Sequence, residues 1–99
     1  MFLNAGQAPE LVRDDASNPH WVAEDVLRRS ESQSPQFWFE FPTGNAAKVI
    51  AQIQAAGAAA RLEAGTQIVI IQARVEDVFA IAELCLGSGG IYCCNLSRI

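Results

Sequence analysis

A chain of 99 residues is one domain, and a domain of that size buries about two-thirds of the surface its unfolded form exposes, leaving little core for an elaborate active site. Hydrophobic residues make up 51% and charged residues 18%, with 11 acidic against 7 basic side chains and a net charge of −4. That balance offers no basic cluster for several phosphate contacts, so direct nucleic-acid binding is not expected; uncharged apolar runs such as Ile68 to Ile71 are far short of the roughly 20 residues that span a bilayer.

Met1 to Ser17 mixes Gly6, Pro9 and polar residues without a clear period and reads as an irregular arm, with a short strand at Phe2 and Leu3 and no basic-then-apolar leader. Asn18 then stands where an N-cap is needed and Pro19 at the first helical position, predicting a short amphipathic helix over 18–30. Val22, Ala23, Val26 and Leu27 form its stripe, with Glu24, Asp25 and Arg28 opposite. Residues 1–35 are read as this arm and residues 36–99 as the domain proper.

The segment "QFWFEFP" predicts a first strand, Gln36 to Phe41, ended by Pro42. Side chains alternate on a strand, so Phe37, Phe39 and Phe41 share one face while Trp38 and Glu40 share the other. Thr43 is placed to cap a helix from about Asn45 to Ala56, with Ala46, Val49, Ile50, Ile53 and Ala56 buried and Gly57 as its stop. "AARLEAGTQIVIIQAR" reads as two strands around a turn at Ala64, Gly65 and Thr66. A further helix, Val75 to Leu86, is expected to bury Val75, Val78, Phe79, Ala82 and Leu86, and "IYCCNL" after "GSGG" is the last strand.

The order β-α-β-β-α-β predicts an α+β, ferredoxin-like βαββαβ sandwich: a four-stranded antiparallel sheet, both helices on one face, and the first and third strands central. The likeness is one of fold alone, and this fold hosts many unrelated functions. Its second face carries Trp38 and Glu40 with either Ile68 and Ile70 or Val69 and Ile71. From the last strand it takes either Tyr92, Cys94 and Leu96 or Ile91 and Cys93; alternation alone does not choose. Either set is too apolar to stand bare, so the short helix, a second copy or another protein is expected to cover it.

Catalytic groups do not assemble from the motifs. His20 is the one histidine, and a nucleophilic triad would draw Ser17 or Ser30 and Asp14 from the same short arm. Cys85, Cys93 and Cys94 have none of the paired spacings of a zinc site, and as an odd set they fit a reducing compartment. "GSGG" follows a helix and opens a strand, the reverse of a phosphate cradle. Thr43, Gly44 and Asn45 stand between strand and helix in the useful direction but make only a three-residue cap. Aromatics on the open face resemble an RNA-recognition module, yet "QIVIIQA" brings no aromatic and no basic neighbour.

The reading is therefore a small, acidic, cytoplasmic, non-catalytic protein-binding module without metal or cofactor. It is an inhibitor that covers a site on another protein, of the antitoxin, immunity or anti-CRISPR type. The alternative is a homodimeric ferredoxin-like sensory domain binding a small ligand. The expected partner-binding residues are Trp38, Glu40 and Tyr92 on the sheet, Ile81 and Leu84 off the buried stripe of the last helix, and the acids Asp14, Asp15, Glu76 and Asp77.

Overall fold

The structure is a computed structural model and describes residues 18–93, so Asp14, Asp15, Cys94 and Leu96 lie outside the described residues. Its first element, α1, spans Pro19–Arg29. The Asn18 side-chain oxygen accepts from the backbone N–H groups of His20 at 2.8 Å and Trp21 at 3.3 Å, satisfying two donors that a helix start leaves without partners. Val22, Ala23 and Val26 are buried as expected, but Asp25 is buried with them at 2% exposure. The expected solvent position of Asp25 is corrected by its spacing: three residues after Val22, it lies on the same helical face.

After α1 come β1 (Gln36–Glu40), α2 (Ala46–Ala55), β2 (Ala59–Leu62), β3 (Ile68–Gln72), α3 (Val78–Gly87) and β4 (Ile91–Cys93). Asn45, not Thr43, holds the cap position of α2, without a side-chain cap bond. The buried side of α2 is Ala46, Val49 and Ile53. The last helix departs most from expectation, because Val75–Asp77 is a 3-10 turn ahead of the α-helix. A tighter turn of three residues shifts the phase of the helix after it. The buried stripe becomes Val78, Ile81, Ala82 and Cys85, while Val75 is 37% exposed.

The four strands form one antiparallel sheet in the order β2-β3-β1-β4, with β1 and β3 central as the sequence predicts. Phe37 pairs with Ile71, Phe39 with Val69 and Tyr92, and Ala60 with Ile71, so these residues share a face. They enter one core cluster with the buried stripes of α1, α2 and α3. Gly90 joins α3 to β4 where a side chain has no room: a Cβ there would stand 2.7 Å from Phe41 and 2.8 Å from the Cys85 carbonyl. Among the described residues no helix is long and apolar enough to cross a membrane.

Candidate functional site

The strand pairings settle which residues share the second face. Trp38 pairs with Ile70 on one side and Cys93 on the other, and Ile70 pairs with Arg61. One row beyond, Glu40 pairs with Ile68 and Ile91. One row back, Gln36 pairs with Gln72, and Gln72 with Ala59. The face is thus an apolar band of Ile91, Ile68, Cys93, Trp38 and Ile70, edged by Glu40, Arg61 and the two glutamines. The set with Ile68, Ile70, Ile91 and Cys93 is the one observed, and Val69, Ile71 and Tyr92 point to the helices.

Exposure is uneven across the band. Ile91 is 62% exposed and Ile70 only 6%, while Trp38 is half-buried and packs against the edge of the core. The indole N–H of Trp38 is shielded from solvent and has no hydrogen-bond acceptor among the described residues. A donor buried without an acceptor costs about 1–3 kcal/mol. Glu40 is exposed and makes no ion pair among the described residues, whereas Arg61 lies 3.8 Å from Glu63.

The other expected binding residues fall elsewhere. Tyr92 is buried on the helix side, where its hydroxyl donates to Asp25 at 2.7 Å and its ring meets Trp21 edge-on at 6.1 Å. Asp25 also accepts from Arg29 Nε at 2.7 Å and from Arg28, so a carboxylate with almost no solvent contact is satisfied by three donors. Ile81 is in the core at 1% exposure, and Leu84 is half-buried against it. Glu76 and Asp77 surround Arg74, at 3.7 and 2.9 Å, at the solvated start of α3. Asp14 and Asp15 lie outside the described residues. Of the expected set, the structure brings Trp38 and Glu40 together on one face and places Tyr92, Ile81, Leu84, Glu76 and Asp77 off it.

Two site features were not anticipated from the sequence. Arg61, on edge strand β2, faces the same way as Trp38, which becomes clear once the register of β2 on β3 is known. A cleft of about 450 Å³ lies between the C-terminal end of α1 and β1, lined by Val26, Arg29, Glu31, Gln36, Trp38 and Tyr92 among others. The hint in the sequence was Asp25 with Arg28 and Arg29, a carboxylate with bases three and four residues on. Such a group fixes the end of α1 and so shapes the cleft.

Chemistry elsewhere is sparse. His20 is exposed and its ring meets that of Phe79 at a tilt of 38°, with centroids 4.6 Å apart. Burial pushes the Cys85 thiol up to about 12, so it stays protonated and unreactive. Among the described residues no group of His, Cys, Asp and Glu is arranged to hold a metal ion. No protein-family model, curated protein or solved structure matches the chain, so a functional reading rests on the geometry of this face and its surroundings.

Proposed function

We propose that this chain is a small, acidic, non-catalytic protein-binding module on a ferredoxin-like scaffold, and that the face centred on Trp38 is its binding surface. On this reading it is an inhibitor that covers a site on another protein, in the manner of antitoxins, immunity proteins or anti-CRISPR proteins. The strand order β2-β3-β1-β4 supports the scaffold. The net charge of −4 supports a partner with a basic site, and the free thiol of Cys85 supports a reducing, cytoplasmic setting.

The observation that carries the proposal is Trp38 itself: a half-buried indole, its N–H without an acceptor among the described residues, in an apolar band that the buried stripes of the three helices do not reach. Tryptophan is enriched among the residues that dominate binding energy, and the half-buried indole offers a partner a large apolar anchor at the centre of the band. Glu40, one row away and without an ion pair among the described residues, suits an arginine on the partner.

The test is affinity capture of the tagged chain from its native cell extract beside a Trp38→Ala control, followed by binding measurements with the purified partner. A stoichiometric partner retained by the wild type and lost by an equally folded Trp38→Ala chain is the expected result. Equal recovery of that partner by both versions would sink the proposal.

A further inference from the structure

β2 ends the sheet on one side, and no strand among the described residues lies beyond it. Its pairing with β3 runs from Ala59 on Gln72 to Leu62 on Val69 without a bulge, and it contains no proline. Two devices that keep a sheet edge from pairing with another chain are therefore missing. The Glu63 N–H donates to the Ile68 carbonyl at 2.8 Å, which fixes the alternation of the backbone. The polar groups of Ala59, Arg61 and Glu63 turn towards β3, and those of Ala60 and Leu62 turn outwards. α2 reaches the first part of this edge, where the Gln54 side-chain amide donates to the Ala60 carbonyl at 3.3 Å. The outward N–H and carbonyl of Leu62 have no partner among the described residues.

The side chains at this point fit one occupant. Leu62 is 43% exposed on the helix side of the sheet, since it pairs with the inward-facing Val69. Arg61 and Glu63 flank it on the Trp38 side, 3.8 Å apart. The segment Ala60 to Ala64, "ARLEA", is self-complementary when reversed: alanine meets alanine, base meets acid, and leucine meets leucine. An antiparallel copy centred on Leu62 thus sets each charge opposite its counterpart. A copy centred on Arg61 would set arginine directly against arginine, which destabilises a strand pair. One centred on Ala60 would use the carbonyl that Gln54 already holds and leave Arg61 opposite Ala59, without a charge partner.

We propose that two copies of this chain pair edge to edge along β2, antiparallel about a two-fold axis through Leu62, so that one sheet continues into the other. Each Leu62 N–H donates to the Leu62 carbonyl of the second copy, Arg61 faces Glu63 in both directions, and the two exposed leucines cover one another. Paired residues share a side of the sheet, so the axis stands perpendicular to it. Both Trp38 faces then lie on one side, open, and the helices on the other. The pairing uses a different surface from the proposed function and does not depend on it. The contact is short, which sets a weak association, with a dissociation constant on the order of 100 µM.

Analytical ultracentrifugation of the full chain from about 5 to about 500 µM tests it, with thermal unfolding of each variant at low concentration as the check on folding. A monomer–dimer equilibrium is expected in the wild type and, unchanged, in Trp38→Ala. Leu62→Lys is expected to weaken the dimer at least about tenfold, because two like charges then stand opposite at the axis. Arg61→Glu alone is expected to do the same, and Arg61→Glu with Glu63→Arg to restore it, since the swap keeps every cross-strand pair opposite in sign. A wild-type chain that stays monomeric at about 500 µM would overturn the pairing and leave the edge to a strand from another protein. A dimer indifferent to Leu62→Lys would place the contact elsewhere, and failure of the charge swap to restore association would rule out the register centred on Leu62.

Discussion

Asp25 shows how a single buried group is weighed. It has three donors, but the Arg28 and Arg29 side chains are 69% and 50% exposed, so their attraction is screened by water and contributes little. The Tyr92 hydroxyl, out of solvent, is the partner that matters. Tyr92→Phe is expected to cost about 1–2 kcal/mol in urea unfolding, and Asp25→Ala about 3 kcal/mol, because the alanine removes the buried acceptor of all three bonds at once. Equal stability of Tyr92→Phe and wild type would mean that the bond is not formed in solution. Cys85 gives the matching case for a neutral group. Its thiol is raised from 9.0 to about 12 by burial, so above about pH 9 the unfolded chain loses this proton while the native chain keeps it. Native stability then falls with rising pH through that window, by up to about 1.4 kcal/mol per pH unit from this group. Comparing the pH slopes of wild type and Cys85→Ala checks the sign, and Cys85 is expected to resist thiol reagents at pH 8 until the chain unfolds.

At the scale of elements, the link from α3 to β4 is the most constrained. A Cβ at Gly90 would meet Phe41 at 2.7 Å, Phe39 at 3.0 Å and the Cys85 carbonyl at 2.8 Å, and two of these are core aromatic rings with nowhere to move. Gly90→Ala is expected to cost about 2–3 kcal/mol by overpacking. Gly87, inside the last turn of α3 with nothing among the described residues within 4 Å, is the control: alanine there is expected to be neutral or to stabilise by up to about 1 kcal/mol. Thermal unfolding of the pair measures both, and a tolerated Gly90→Ala would mean that β4 does not dock as described. The elements themselves were largely legible from the sequence. The Asn18 and Pro19 start of α1, the three inward phenylalanines, the order of elements and the central position of β1 and β3 all follow from capping, alternation and crossover rules. What escaped was phase. Both faces of β3 are apolar, so period-two alternation could not say whether Ile70 or Ile71 accompanies Trp38, nor whether Tyr92 or its neighbours Ile91 and Cys93 do. The 3-10 turn at Val75–Asp77 rotated α3 so that Ile81, read as outward, became core. Trp38 and Glu40 were legible as site residues because a strand's alternation is enough to set them apart from the phenylalanines; Arg61 was not, since its side depends on a hairpin register.

For the molecule as a whole, the proposed function assigns one face of the sheet to holding the fold and the other to meeting a partner, and that division can be measured. Phe39, fully buried in the core with its ring against those of Phe37, Phe41 and Tyr92, carries the fold: Phe39→Ala is expected to cost about 3–5 kcal/mol out of the roughly 5–15 kcal/mol that holds a small domain together. Loss of binding in such a variant would say nothing about the site. Ile91 is the informative position, because it is 62% exposed, sits at the edge of the Trp38 band and pairs with Glu40. Ile91→Lys removes little buried surface and sets a positive charge opposite an exposed negative one, so stability is expected to stay within about 0.5 kcal/mol. In a complex that covers the face, the same lysine has to be desolvated against apolar neighbours, and binding is expected to weaken at least about tenfold. Titration calorimetry with the purified partner, beside thermal unfolding of the free chain, reads both quantities. Undiminished affinity in a fully folded Ile91→Lys chain would move the interface off this end of the sheet, leaving the half-buried indole of Trp38 without the partner proposed for it.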